Sequence, residues 1–317
     1  MINLSIAKDK KIKLAKMIVD KYEEQEVKQN RQKKMISRYI EVDSWCKKYI
    51  QIEGRGLSLM EVICADYIKL CKIKEKFEEY KYEWNKLKWD KKITADYFMI
   101  DTLYKRNFPR KEFFSELNVN VCPYCNRNFI NSYQNVSTYQ LDHFFPKSEY
   151  PLLAVSFENL IPVCAACNYH KREQMINYSP YDKRYKIDSL LKFSYVIKDT
   201  NYLLDKSGIS ISIQAKDSGI QKNIDVFELE KLYQIHTDVV QECIKKGMMY
   251  SEEYINGLVK TYSNIFESKE EIYQLVFGNY FKGENYCDRP LAKMTKDIVK
   301  ELFEVIYAED IDKIFTE

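Results

Sequence analysis

Residues 140–150 read QLDHFFPKSEY and place Asp142 and His143 between an apolar stretch and a loop that begins at Pro146. The chain contains 3 histidines, so the position of one of them beside a carboxylate is informative. Two Cys-x-x-Cys pairs flank this stretch, at residues 122–125 and 164–167. We therefore expect the chemistry of the protein to lie in this part of the chain.

The two Cys pairs, CPYC and CAAC, have the spacing with which both thiolates of a pair bind one ion from a tight turn. Four cysteines around Zn(II) leave no position for water, so the pattern predicts a structural zinc site. A folded element between the pairs accounts for their long separation. A redox pair and simple burial are the alternatives. The predicted zinc ligands are Cys122, Cys125, Cys164 and Cys167.

The segment between the Cys pairs predicts a strand, a loop, a second strand and a helix. Residues 136–141 are expected to form the first strand and residues 160–163 the second, while the helix begins after Cys164. The Asp-His pair then lies at the end of the first strand, and Asn168 lies in the first turns of the helix. This order predicts a ββα unit held by zinc.

These residues resemble a known family. The stretches LDHFFPKS and ENLIPVCAACNYHK, with the first Cys pair, are similar to the HNH, or ββα-metal, endonucleases whose treble-clef-like fold is fastened by a four-cysteine zinc. The resemblance covers 122 to about 175. The stretches YPLLAVSFENLIPVCAACN, NYSPYD and RPLAKMTKDI look like bacterial HNH proteins of anti-phage systems, some of which act beside an ATPase, as in Septu-type pairs.

Hydrolysis of a phosphodiester needs a base that deprotonates water and a cation that stabilises charge on the phosphate and the leaving oxygen. A neutral imidazole suits the first task, so His143 is the predicted general base. Oxygen ligands suit a hard Mg(II) or Mn(II) ion. The resemblance implies that Asp142 and the side-chain oxygen of Asn168 hold this catalytic metal.

Four more residues have predicted roles in the site. The family role of Asn159 is to hold the loop that orients the histidine, although a turn-forming asparagine is an alternative. Lys171 lies three residues after Asn168, on the same helix face, where it is expected to contact phosphate or to be a plain surface lysine. The remaining predicted nucleic-acid contacts are Lys147 and Arg172.

His170 is an alternative third metal ligand, because some members of the broader family use histidine there. It lies two residues after Asn168, roughly 200° around a helix, so the two side chains cannot easily reach one metal. Asn168 is favoured, because its register relative to Cys167 and Lys171 resembles that of the zinc-bearing subgroup. His236 is expected to be an ordinary, partly buried histidine.

The flanking sequence predicts a mostly helical α+β protein. Helical periodicity occupies residues 1–115 and returns after about residue 225, with a small β-hairpin at 193–197 and 209–214. We expect a helical N-terminal region (1–115), an HNH nuclease unit (116–180) and a region containing the hairpin and C-terminal helices (181–317). No secretory signal or apolar run of about 18 residues occurs, which favours a cytoplasmic location without membrane contact.

The leading functional hypothesis is a zinc-stabilised, metal-dependent HNH endonuclease that cuts DNA, in anti-phage defence with an ATPase partner. The 50 basic and 47 acidic residues give a net charge of +3, too small to indicate nucleic-acid binding by itself. One alternative is a catalytically inactive, zinc-stabilised module that binds nucleic acid or protein. Another is an RNase, which the motif does not exclude.

Overall fold

The computed structural model describes residues 1–23, 30–134 and 136–307. Its N-terminal region is helical apart from one short hairpin, in which Gly54 adopts a positive φ of 79° at the turn. A capping box formed by Ser58 and Glu61 begins the helix after this hairpin. The elements are α1 (Lys8–Glu23), α2 (Asn30–Tyr49), β1 (Gln51–Ile52), β2 (Arg55–Gly56), α3 (Leu59–Cys64), α4 (Tyr67–Glu79), α5 (Lys81–Trp84), α6 (Ala95–Tyr97), a π-helix (Phe98–Asn107) and α7 (Arg110–Leu117).

The central region contains the predicted strand, strand and helix. Its elements are β3 (Ser132–Tyr133), β4 (Val136–Ser137), β5 (Gln140–His143), β6 (Leu160–Val163) and α8 (Ala165–Lys171). Strands β5 and β6 are antiparallel, with Asp142 opposite Ile161 and His143 opposite Leu160. The loop between them contains two turns of 3-10 helix, Pro151–Leu153 and Phe157–Asn159.

The structure divides the single strand that we predicted over residues 136–141. Strand β4 pairs with β3, and β5 begins only at Gln140. Thr138 extends the pairing of β3 and β4, because its amide donates to the Asn131 carbonyl and its hydroxyl donates to Asn131 Oδ1. Asp142 and His143 are the last two residues of β5, so they lie at the end of a strand, as predicted.

The C-terminal region begins with a β-hairpin and ends with helices. Strands β7 and β8 pair from Leu191 opposite Ala215 to Ile197 opposite Ile209, which confirms the predicted hairpin. The elements are β7 (Leu191–Ile197), β8 (Ile209–Ala215), α9 (Ser218–Val226), α10 (Leu229–Tyr233), α11 (Thr237–Met249), α12 (Glu252–Thr261), α13 (Lys269–Phe277) and α14 (Ala292–Tyr307). The fold is therefore the mostly helical α+β fold that the sequence predicts.

The three regions share one hydrophobic core, and polar contacts also connect them. Glu158, in the β5–β6 loop, is 1% exposed and accepts hydrogen bonds from Lys11 Nζ at 2.9 Å and from the Tyr67 amide at 2.7 Å. On the other side, the Asn126 side chain donates to the Tyr286 carbonyl. Helical elements therefore contact the central unit from both ends of the chain. None of the helices in the described residues is long and apolar enough to cross a bilayer.

Candidate metal centre and active site

The four predicted zinc ligands lie together in the folded chain. The sulfur atoms of Cys122, Cys125, Cys164 and Cys167 all lie within 4.8 Å of one another, and all four residues are buried. Ligands about 2.3 Å from a tetrahedral zinc are about 3.8 Å apart. The separation of 3.9 Å between the sulfurs of Cys125 and Cys164 agrees with this geometry. The donor set fits a structural zinc with a closed coordination sphere.

Local hydrogen bonds hold the first Cys pair in a tight turn. The Asn126 amide donates to the Cys122 carbonyl, and Asn126 takes a left-handed φ of 52°, which asparagine tolerates better than most residues. The Arg127 amide donates to the sulfur of Cys125, and Asn128 Nδ2 donates to the sulfur of Cys164 at 3.3 Å. Such bonds favour the thiolate form that binds zinc.

Asp142 lies in the interior beside this cluster, and both of its carboxylate oxygens have partners. The Tyr124 hydroxyl donates to Oδ2 at 2.8 Å, and Lys171 Nζ lies 3.2 Å from both oxygens. Burial raises the pKa of Asp142, whereas the Lys171 ammonium and the Tyr124 hydroxyl oppose this rise. The two donors compensate the charge of a carboxylate that has little contact with water.

His143 is also buried, and its ring has a defined orientation. Nε2 lies 3.0 Å from the Ala154 carbonyl, which can only accept, so Nε2 carries the proton and Nδ1 is the unprotonated nitrogen. The Tyr104 ring packs edge-on at a centroid distance of 4.5 Å. Burial, with a further contribution from Lys147, lowers the pKa of His143 to about 3, so the imidazole is neutral near pH 7.

The Asn159 side chain makes three hydrogen bonds to two residues of the loop that follows His143. Its Oδ1 accepts from the Phe145 amide at 2.8 Å, and its Nδ2 donates to the carbonyls of Phe145 and Leu153 at 3.2 and 3.0 Å. Asn159 is fully buried, so no water competes for these bonds. The side chain links the start and the middle of the loop that contains Ala154, the partner of His143.

A cavity of about 290 Å³ opens beside these residues. Asp142, His143 and Asn168 line it together, so the folded chain brings the predicted base and metal ligands to one space. Asn168 also donates from Nδ2 to Gln140 Oε1 at 2.6 Å, which leaves its own amide oxygen as the free acceptor. His170, the alternative ligand, is not among the lining residues, and its ring contacts Tyr169.

Of the three predicted phosphate contacts, Lys147 and Arg172 line the cavity, whereas Lys171 does not. The Lys171 side chain is fully buried, and its ammonium contacts Asp142 and donates to the His143 carbonyl at 2.8 Å. The predicted phosphate contact of Lys171 is therefore wrong. The physical reason is that the buried carboxylate of Asp142 requires a counter-charge, and Lys171 provides it.

The structure adds residues that the sequence did not indicate. Tyr124 and Tyr104 contact the Asp-His pair, and Ser148 and Glu173 line the cavity, where the Ser148 hydroxyl donates to Glu173 at 2.7 Å. For Tyr124, the position between two predicted zinc ligands was the one feature of the sequence that indicated a place near the site. Tyr104 lies far away in the sequence, and no local pattern marks it.

His236 is half-buried, as predicted, and Nε2 accepts a hydrogen bond of 3.2 Å from Arg127 Nε. Burial, followed by the charge of Arg127, lowers its pKa. The Tyr233 hydroxyl donates to the Cys125 carbonyl nearby. These contacts attach the first zinc turn to the C-terminal region.

The fold and the site together define a ββα unit with a four-cysteine cluster that fits zinc. Residues 122–174 match the family model described as HNH endonuclease, and an HNH endonuclease domain therefore occupies this segment. No curated protein and no solved structure matches the chain.

Proposed function

We propose that this protein is a metal-dependent HNH endonuclease that hydrolyses phosphodiester bonds of DNA. The observation that carries the proposal is the meeting of Asp142, His143 and Asn168 around one cavity in the segment that matches the family. The neighbouring cysteine cluster supports the geometry of this unit without leaving a coordination position for substrate.

His143 acts in this proposal as the general base. The hydrogen bond from Nε2 to the Ala154 carbonyl leaves Nδ1 free to take a proton from the attacking water. The low basicity of a buried imidazole rises when a phosphate brings negative charge beside it. Asn159 acts indirectly, because it holds the loop that contains the partner of His143.

The proposed metal ligands are Asp142 and the amide oxygen of Asn168. Both are oxygen donors on the cavity wall, which suits Mg(II) or Mn(II). Such an ion stabilises negative charge on the phosphate and the leaving oxygen. The ammonium of Lys171 is paired with the carboxylate of Asp142. Asp142 is therefore already oriented before a metal binds.

The cellular setting in the proposal is bacterial anti-phage defence in the cytoplasm, with an ATPase subunit as partner. Support comes from the resemblance of YPLLAVSFENLIPVCAACN and RPLAKMTKDI to HNH proteins of such systems. Purification of the tagged protein from its native host tests the partner. Recovery of an active chain with no ATPase at any salt concentration contradicts it.

The decisive experiment compares the wild type with His143→Ala, Asn168→Ala and His170→Ala on plasmid DNA and on RNA. We expect cleavage of DNA only after Mg(II) or Mn(II) is added, and a rate about 10²–10⁴-fold lower for His143→Ala. Asn168→Ala should also lose activity, whereas His170→Ala, the matched control, should retain it.

The same experiment separates the alternatives. A folded, zinc-containing wild type that binds DNA and cleaves neither substrate indicates an inactive binding module. Preferential cleavage of RNA indicates an RNase. Full activity of His143→Ala contradicts the assignment of the base.

A further inference from the structure

Two cations that line the cavity, Lys147 and Arg172, and a third that contacts Tyr104, Arg110, form no ion pair within the described residues. Lys147 makes no hydrogen bond or ion pair within the described part of the chain, and its ammonium lies 5.9 Å from the centre of the Tyr104 ring. The Arg172 side chain donates to the Tyr169 carbonyl, and its guanidinium lies over the Tyr169 ring. Arg110 donates to the hydroxyl and carbonyl of Tyr104 and stacks on its ring at 4.4 Å.

Elsewhere in the described chain many cations form ion pairs, such as Lys74 with Glu78 and Lys86 with Glu83. Lys147, Arg172 and Arg110 together form a positive cluster at and beside the cavity. Burial lowers the pKa of Lys147, and the charges of Lys105 and Arg110 lower it further, against the opposing effects of Asp142 and Glu173. Like charges so placed favour an anionic ligand.

Two carboxylates of the cavity, Asp142 and Glu173, lie near this cluster, and neither forms an ion pair with it within the described residues. Asp142 is already paired with Lys171. Glu173 lines the cavity but accepts a hydrogen bond from Ser148, and no ion pair joins it to a cation of the described residues. A ligand with several negative charges along its length is the complement of such a surface.

Tyr104 links the cluster to the proposed base. The Tyr104 ring contacts the His143 imidazole and the Arg110 guanidinium, and the Lys147 ammonium lies 5.9 Å from its centre. Tyr104 belongs to the π-helix, and Arg110 begins α7, so both lie before the segment that matches the nuclease family. π-Helical turns occur frequently at functional sites.

We infer that Arg110 contacts the DNA backbone next to the cleaved phosphate, so that the N-terminal helical region forms part of the substrate-binding surface. In this arrangement the duplex backbone passes Arg172 and Lys147 at the cavity and reaches Arg110 beyond Tyr104. The inference rests on the proposed function and adds to it a binding residue outside the nuclease segment.

The test measures binding without cleavage. The proteins carry His143→Ala, no Mg(II) or Mn(II) is added, and the probe is a fluorescein-labelled DNA duplex followed by anisotropy at several salt concentrations. We expect Arg110→Gln to weaken binding about five- to tenfold at low salt and to reduce the slope of log K against log salt by about 1.

Arg289→Gln is the matched control. Arg289 also stacks on a tyrosine, Tyr280, at 5.2 Å and donates to a carbonyl, that of Gly278. The difference is that Tyr104, the partner of Arg110, contacts His143, whereas no ring contact joins Tyr280 to His143 in the described part of the chain. We expect its affinity and salt slope to equal those of the parent protein. Lys147→Gln provides a second variant, because its removal breaks no hydrogen bond, and it should behave like Arg110→Gln.

The inference is overturned if Arg110→Gln folds like the parent protein and binds the duplex with unchanged affinity and salt slope. It is also overturned if Arg289→Gln weakens binding equally, because the effect is then one of total charge. Cleavage by the protein with His143 intact is measured separately. If the protein with His143 intact cleaves DNA and Arg110→Gln leaves binding unchanged, only the inference is refuted. If the protein with His143 intact does not cleave DNA, the proposed function is refuted.

Discussion

The Tyr124 hydroxyl donates a hydrogen bond of 2.8 Å to Oδ2 of Asp142. Tyr124 lies between two ligands of the cysteine cluster, and its ring stacks on Phe227 at 4.4 Å. The side chain therefore connects the zinc turn, the C-terminal region and the carboxylate proposed to bind the catalytic metal. A metal held by the cysteine cluster would thus be connected to the proposed active site through one hydrogen bond.

Substitution of Tyr124 by Phe removes this bond and keeps the ring. We expect a loss of about 1–3 kcal/mol in the free energy of unfolding, because a buried charged acceptor loses a donor. We also expect a changed Mg(II) concentration for half-maximal cleavage. Tyr307→Phe, which removes a hydrogen bond of the same length to the Gly247 carbonyl, is the control. Equal Mg(II) dependence in both variants contradicts the link.

Removal of zinc should unfold the nuclease unit, because its two Cys pairs are far apart in sequence and the ion joins them. Metal analysis should find zinc in the wild type and little in Cys164→Ser. Thermal unfolding should show a lower Tm for this variant. Cys243→Ala, at a buried cysteine outside the cluster, should retain zinc. A zinc content unchanged in Cys164→Ser would sink the assignment.

Lys171→Met should destabilise the protein by about 3–5 kcal/mol, because it leaves the buried carboxylate of Asp142 without its counter-charge. Denaturant unfolding measures this cost, and adding Asp142→Asn to the variant should recover part of it. Lys293→Met, at the comparable buried pair of Lys293 and Asp297, should have a similar cost.

Mg(II) distinguishes these two buried pairs. Because Asp142 is a proposed metal ligand, we expect Mg(II) to raise the Tm of Lys171→Met more than that of the wild type or of Lys293→Met. The same Mg(II) effect in all three proteins argues against metal binding by Asp142.

The buried pair of Lys11 and Glu158 offers a test of the N-terminal region as a support for the active-site loop. Lys11→Met should cost about 3–5 kcal/mol of stability and lower the cleavage rate, because Glu158 precedes Asn159 directly. The adjacent Lys10 pairs with Glu116 on the surface, so Lys10→Met should change stability little. Similar unfolding curves for the two variants contradict this role.

Local patterns in the sequence predicted much of the central unit. The spacing of the cysteines predicted one cluster, and the strand over 160–163 appears with those limits. The predicted strand over 136–141 is divided, because residues 136–138 pair with residues 131–133 and β5 begins only at Gln140, where it pairs with β6. The choice between two pairing partners leaves no periodic signal in the segment itself.

The sequence by itself determined which residues are proposed to carry the chemistry. Spacing and residue type predicted that four cysteines lie together, and they indicated Asp142, His143 and Asn168 in the order of the motif. The tertiary structure alone decided how these groups are paired. Lys171 is an ordinary helix lysine in the sequence, but burial beside Asp142 makes it a counter-ion. Tyr104 contacts His143, and Arg110 contacts Tyr104, through the packing of distant helical segments that no local pattern encodes.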